Sequence, residues 1–230
     1  MSRLANELAV NQSQPVDPEK ASFQRFGLAI HTTTPELGLA IGTGIDDPRA
    51  QTWNVGRSLS THLQVYLQDF IQPLTWKDLS FLAVAKGPGS FTGTRMGVVT
   101  ARTLAQQLRI PLFAISTSAA LAWSVRSQTP KTHDIVVQIP AQRGEVFGSA
   151  YRTTETGELT TILADTAIPV AVWEHKLETW PNAYDRVESP PHLGASVVPL
   201  LGLAYWYWLN GERPSWLEAL PFYGQHPIEG

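Results

Sequence analysis

The stretch FLAVAKGPGSFTGTRMG, residues 81–97, decides the fold class of this chain. Its first five residues form a short, uninterrupted apolar run, which predicts a strand buried on both faces. Glycines follow at positions 87, 89, 93 and 97, and a helix is predicted from Phe91 to Leu108. A second apolar run, Ile110–Ile115, then resumes the strand pattern. The order strand, helix, strand predicts a βαβ unit with parallel pairing and a right-handed crossover.

The segments on either side of this unit predict further elements of an α/β fold. The run Phe26–Gly42 predicts a β-hairpin, helical spacing of apolar residues predicts a helix at Leu59–Ile71, and a short helix is predicted at Thr117–Val125. Residues 134–151, DIVVQIPAQRGEVFGSAY, predict two strands joined by a turn at Arg143–Gly144. This second hairpin resembles the first, which suggests two lobes built from related halves.

The composition limits the classes of function. With 230 residues, 43% hydrophobic and 16% charged, the chain can form one large domain or two small lobes. A net charge of -3 gives no basic patch for autonomous binding to a polyanion, so any contact with nucleic acid is expected to be indirect. The absence of cysteine excludes disulfides, thiolate catalysis and cysteine zinc sites, and it fits a reducing compartment. We therefore expect a cytoplasmic protein.

The expected domain division is a flexible N-terminal extension at 1–25, an N-terminal lobe at 26–120 and a smaller C-terminal lobe at 121–230. The extension lacks the apolar core of a secretory signal. The most apolar later run, Val197–Leu209, is shorter than the roughly 20 residues that a membrane-spanning helix needs. It is therefore predicted to be a buried or partner-facing helix, with no contact with a membrane.

The glycine-rich stretch has two interpretations, of which the first is a phosphate-binding loop. A strand that leads through glycines into a helix presents free N–H groups and the positive end of the helix dipole to an anion. However, the P-loop pattern is absent, since Lys86 precedes the glycines. The dinucleotide-binding pattern, G-x-G-x-x-G with an acidic residue about 20 positions later, is absent as well. The residues of this possible nucleotide loop are Gly87, Gly89, Ser90 and Thr92.

The second interpretation is close helix packing. Small residues recur at four-residue intervals along the predicted helix, which gives a ridge with almost no side-chain height, at Gly93, Gly97, Ala101 and Ala105. Leu104 and Leu108 flank this small-residue ridge. Such a ridge allows close approach either to the chain's own sheet or to a partner helix, and the pattern does not distinguish the two.

Other side chains carry little evidence of chemistry. The six histidines are scattered, and none forms the pairs on one helix face that bind metals, so no metal site is predicted. Ser90 and Ser116 precede helices and are better N-caps than nucleophiles. No catalytic residue is identified.

The run GPGSFTGTRMGVVTARTLA at 87–105 resembles the TsaB (YeaZ) family, which carries GPGSFTG followed by Arg and Gly. AQRGEVFGSAY at 141–151 and ALPFYGQHP at 219–227 are similar to two further family motifs. The resemblance covers residues from about 26 to about 226. It implies an actin-like ATPase (ribonuclease H-like) two-lobed fold with a reduced second lobe.

The resemblance also implies a function. The family is understood as a non-catalytic partner of the paralogous TsaD, acting with the ATPase TsaE in the threonylcarbamoylation of the adenosine beside the anticodon of ANN-decoding tRNAs. Docking through the N-lobe helices is implied. The candidate partner-interface residues are Gly93, Gly97, Ala101, Leu104, Ala105 and Leu108 of one helix and Leu63 and Leu67 of another.

Departures from the actin-like enzymes favour a protein without catalysis. Those enzymes place Asp after the first strand of each lobe to hold Mg²⁺, whereas the matching positions here are His31 and Pro140. TsaD itself is disfavoured because His62 is followed by Tyr66, where TsaD has a second metal-binding histidine. No cofactor is expected, although weak ATP or ADP binding at the seam with TsaD is left open. The alternatives are a small ATP-dependent phosphotransferase and a homodimeric interaction protein.

Overall fold

A computed structural model describes residues 26–43 and 48–224, so the predicted extension at 1–25 lies outside the described residues. These residues form nine strands and five α-helices. The strands are β1 Phe26–His31, β2 Glu36–Gly42, β3 Arg49–Asn54, β4 Leu79–Ala85, β5 Leu112–Ile115, β6 Asp134–Pro140, β7 Glu145–Thr153, β8 Leu159–Pro169 and β9 Tyr184–Glu188. The helices are α1 Leu59–Ile71, α2 Phe91–Leu108, α3 Thr117–Val125, α4 Val170–Glu178 and α5 Val197–Leu209.

Sheet 1 has the strand order β3-β2-β1-β4-β5. The pairs β1–β2 and β2–β3 are antiparallel, and β1–β4 and β4–β5 are parallel. Helix α2 connects β4 to β5, as the βαβ pattern predicts. All but one of the residues of β4 are buried, which explains why that strand has no polar alternation.

Sheet 2 has the order β8-β7-β6-β9 and repeats the first four positions of sheet 1. Its first three strands pair antiparallel, and β9 pairs parallel with β6. Among the residues that the structure describes, sheet 2 has no counterpart of the fifth strand of sheet 1. The predicted actin-like, ribonuclease H-like fold with a reduced second lobe is therefore confirmed.

The layers are held together by two central helices. Helices α1 and α2 cover the outer face of sheet 1, while α5 packs on the inner face. Helix α3 packs on sheet 2 and against α5, and these contacts form one large core between the sheets. Helix α5 thus packs on sheet 1, although the predicted division assigns its residues to the C-terminal lobe. Helix α4 covers the outer face of sheet 2, where Trp173 is fully buried.

The run at Val197–Leu209 forms α5, with both Leu200 and Leu201 fully buried. Within residues 26–43 and 48–224, no helix has the length and apolar character needed to cross a bilayer.

Candidate functional site

The glycine-rich loop follows the end of β4 and leads into the first turn of α2. Much of its backbone hydrogen bonding is satisfied inside the chain. The Ser90 N–H donates to the Thr33 carbonyl oxygen over 2.7 Å, and the Ser90 hydroxyl accepts from the Gly93 N–H at 3.3 Å, which confirms Ser90 as the N-cap. The Gly87 carbonyl accepts from the Thr117 N–H at 2.8 Å. The loop is thus anchored to its neighbours, and fewer donors remain for a phosphate.

The glycines allow the start of α2 to lie directly against the loop that follows β1. A Cβ atom at Gly93 would lie 2.2 Å from the Thr32 carbonyl oxygen, and one at Gly97 would lie 2.2 Å from the Thr32 hydroxyl oxygen. At Gly89 it would lie 2.4 Å from the Thr33 carbonyl oxygen. These distances are shorter than van der Waals contact, so glycine is required at all three positions.

The small-residue ridge of α2 is consequently inside the chain. Gly93, Gly97, Ala101 and Ala105 are all buried. The ridge, which the sequence analysis assigned to a partner interface, packs inside the chain on its own sheet, and Gly93 and Gly97 make their close contacts with Thr32. This outcome was the other arrangement that the sequence pattern allowed.

The remaining predicted interface residues also face inward. Leu63 and Leu67 of α1 are 1% and 2% exposed, and Leu104 and Leu108 are half-buried against the same core. The apolar side chains that α1 and α2 present to solvent are Val65, Phe91 and Val99, which are 52%, 42% and 53% exposed. Helical periodicity in the sequence identifies the apolar face that becomes buried. Single apolar residues on an otherwise polar face form no periodic pattern, so the sequence analysis did not identify these three.

A cleft of about 800 Å³ lies between the ends of the two sheets. One side is formed by the loop after β1 and the first turn of α2, and the other by the β6–β7 turn with Arg143. Gly89, Ser90 and Thr92 of the possible nucleotide loop line the cleft, whereas the buried Gly87 does not. The structure therefore brings three of those four residues to one cavity.

The cleft contains no acidic side chain among its described lining residues. His31, at the end of β1, is fully buried, and desolvation lowers its pKa to about 3, so the imidazole is neutral at pH 7. Pro140 lines the second side of the cleft and has no N–H group. No group of three or more His, Asp or Glu able to hold a metal ion occurs in the part of the chain that the structure describes.

A half-buried carboxyl group that the sequence analysis missed lies on β8 of sheet 2. Asp165 projects from β8 toward the N-terminal end of α3, near Ser116, Ser118 and Ser149. Burial raises the pKa of Asp165, and the neighbouring hydroxyls and the charge of Lys86 act in the opposite direction. These residues are far apart in the sequence, so no local signal could have revealed the cluster.

Two sheets of matching topology and a cleft between their ends define an actin-like two-lobed protein, and the described lining of this cleft has none of the carboxylates that would hold Mg²⁺. The chain belongs to the family described as TsaD, tRNA N6-adenosine threonylcarbamoyltransferase, whose model matches residues 55–185.

Individual relatives carry the TsaB and YeaZ names, as the motifs predicted. The tRNA threonylcarbamoyladenosine biosynthesis protein TsaB of Bacillus subtilis is 38% identical over 102 residues, covering 44% of this chain and 43% of the relative. The protein of the same name from Buchnera aphidicola is 39% identical over 83 residues, or 36% and 39% of the two chains. The matched part thus spans less than half the length of either curated relative. The structure of YeaZ from Pseudomonas aeruginosa superimposes with a TM-score of 0.66 at 23% identity, covering 86% of this chain and 99% of that one, which shows a shared fold.

Proposed function

We propose that this chain is a non-catalytic partner subunit of TsaD in the threonylcarbamoylation of the adenosine beside the anticodon of ANN-decoding tRNAs. In this proposal it binds TsaD as a heterodimer, joins TsaE in a larger complex, and contacts tRNA only through its partners. The protein acts in the cytoplasm.

The observation that carries the proposal is that no carboxylate occurs among the described residues that line the cleft. Phosphoryl-transfer enzymes depend on acidic side chains that hold Mg²⁺ and orient the attacking group. His31 and Pro140 stand where those side chains are expected, and a neutral buried imidazole cannot replace them. A fold that keeps the cleft but lacks carboxylates at these two positions is better suited to binding a partner. The same observation argues against the phosphotransferase alternative.

The proposed docking face is the exposed surface of α1 and α2. Because the small-residue ridge is buried, the contact must use the outward side chains, among them Val65 and Val99. Apolar side chains within a largely uncharged surface are typical of the centre of an interface. A homodimer could use the same face, and we propose it only for the chain in the absence of TsaD.

The test is co-purification of this chain with TsaD from the same cell, with and without ATP, followed by light scattering. A stoichiometric heterodimer is expected. If the chain does not bind TsaD but binds ATP by itself, the proposal is overturned. A stable dimer of this chain that does not bind TsaD would favour the homodimer alternative.

We propose that the chain holds no resident cofactor and binds ATP or ADP weakly, or only at the seam with TsaD. Because the described lining of the cleft has no carboxylate, such binding is expected to be insensitive to Mg²⁺. Calorimetric titration of ATP into the chain alone and into the heterodimer, each with Mg²⁺ and with EDTA, separates these cases. Tight binding to the isolated chain that requires Mg²⁺ would contradict the proposal.

A further inference from the structure

The C-terminal strap, residues 212–224, carries the motif ALPFY that the proposed docking face does not explain. It follows α5 and contains a single short turn of 3₁₀-helix at Trp216–Glu218. The strap runs along the edge of sheet 1 and α2, reaches the glycine-rich loop, and ends at the cleft, which Phe222, Tyr223 and Gly224 line. It is thus placed to contact both lobes.

The strap is firmly attached to sheet 1 and its helices. The Pro214 carbonyl accepts a hydrogen bond from the Leu112 N–H at the start of β5. Ala219 is 1% exposed within the core beneath α2. At the glycine-rich loop, the Phe222 N–H donates to the Lys86 carbonyl oxygen over 2.7 Å. Up to Phe222, the strap therefore moves with the first lobe.

The side chain of Phe222 reaches the second lobe. Its ring packs edge-to-face on Phe147 of β7, with centroids 6.1 Å apart and planes at 73°. Gly224 is equally close to that strand, since a Cβ atom there would lie 2.5 Å from Phe147 Cε1. Phe147 lies close to the β6–β7 turn and itself lines the cleft. The strap contact is therefore made near the mouth of the cleft.

We propose that the strap is a clasp that fixes the width of the cleft, with Phe222 as its closing contact. The lobes are joined at their base by α3 and α5, where rotation about the packed helices would open the mouth. The contact between Phe222 and Phe147 opposes that rotation because Phe222 is hydrogen-bonded to the loop after β4 of sheet 1, whereas Phe147 belongs to sheet 2.

The test measures the distance between the lobes in the full chain. The sequence has no cysteine, so Thr103→Cys on α2 and Lys176→Cys on α4, both exposed, provide two unique spin-label positions on the outer helices. Pulsed electron–electron double resonance then compares Phe222→Ala with Leu220→Ala. Leu220 belongs to the same strap but is 61% exposed, so its substitution is the matched control.

Phe222→Ala is expected to shift the label distance and broaden its distribution, while Leu220→Ala reproduces the parent distribution. Gly224→Ala places a methyl group against Phe147 and should displace that ring, so it is also expected to broaden the distance distribution. This variant replaces Phe222→Ala in the test if Phe222→Ala does not fold. An unchanged distribution in the folded variants would overturn the proposal. Equal broadening in Leu220→Ala would overturn it as well, because that result reports general loosening of the strap.

Discussion

The hydroxyl of Thr32 donates a hydrogen bond of 2.8 Å to the carbonyl oxygen of Gly93, and so ties the loop after β1 to the first turn of α2. The two residues belong to elements that the sequence separates by 61 positions. The contact requires the backbones to approach more closely than any residue with a Cβ atom at position 93 would allow. The family motif therefore has a structural role within this chain.

Gly97→Ala is expected to destabilise the protein. In an open helix the change would stabilise by up to about 1 kcal/mol through helix propensity. Here the new Cβ atom would meet the Thr32 hydroxyl oxygen at 2.2 Å, so overpacking should instead cost about 1–3 kcal/mol. Urea unfolding measures the sign directly. Gln106→Ala on the exposed face of the same helix is the control, expected within about 0.5 kcal/mol of the parent. A more stable Gly97→Ala variant would refute the close contact.

Val65→Glu and Val99→Glu should weaken the proposed complex with TsaD. Both valines are about half exposed, so the fold should tolerate glutamate, but a charge buried at an interface should lower affinity by at least about tenfold, or 1.4 kcal/mol. Val172→Glu on α4 makes the same change at a valine of matching exposure, 54%, on the other lobe. Titration calorimetry with TsaD should show the loss for the first two variants alone. Equal losses in all three, or none, would place the interface elsewhere.

Asp134→Ala is expected to destabilise the second lobe. The carboxylate is fully buried and accepts hydrogen bonds from Arg152 at 2.7 Å, Trp180 at 2.9 Å and Asn182 at 3.1 Å. Its removal leaves these donors without their acceptor, at an expected cost of about 3 kcal/mol in the free energy of unfolding. Thr160→Ala, at an exposed position of β8, should change stability little when measured in the same urea series.

The same carboxylate predicts a loss of stability in acid. Burial opposes ionisation of Asp134, but the hydrogen bonds from Trp180, Asn182 and Arg152 and the charge of Arg152 outweigh it and lower its pKa. Its contribution is therefore complete above the unfolded-state pKa of about 3.9 and is lost as pH falls through the lowered value. Asp134→Asn should flatten this acid limb of a stability–pH curve. An acid limb of unchanged slope in the variant would contradict this assignment.

Asp165 predicts the opposite dependence. Burial raises its pKa above the unfolded value, so the folded chain retains the proton more strongly and stability falls as pH rises from the unfolded value toward the raised one. Asp165→Asn is expected to be more stable than the parent at neutral pH, with a difference that shrinks below about pH 4. Chemical denaturation across pH 3–8 tests this. A variant less stable than the parent at every pH would show that the carboxylate is required by its neighbours.

Several elements follow from local pattern alone. The helices at Leu59–Ile71, Phe91–Leu108 and Thr117–Val125 were predicted with the bounds that the structure gives, because each has a buried apolar face or a serine cap. Both hairpins were also predicted, with the second turn at Arg143–Gly144. An element that is buried on one face has apolar residues at regular intervals, and turns and caps require particular residue types. Both signals can be recognised in the sequence.

Three strands escaped prediction for a physical reason. Strand β3 has no buried residue, β8 buries only Leu159, and β9 buries none, so none of them shows the alternation that identifies a strand. All three are edge strands, and each is held by backbone pairing with a neighbour. Such pairing depends on main-chain groups, which every residue except proline carries in full.

The sequence by itself determined the βαβ unit, the repeated hairpins, the glycine motif and the absence of carboxylates at positions 31 and 140. Tertiary structure decided which surface covers the small residues of α2, since a ridge with almost no side-chain height is equally complementary to a strand-end loop and to a partner helix. It also decided that Ser116, Ser149 and Asp165 meet, and that Phe222 reaches Phe147 across the cleft. These contacts join residues distant in the chain, and only the packing of the two lobes brings them together.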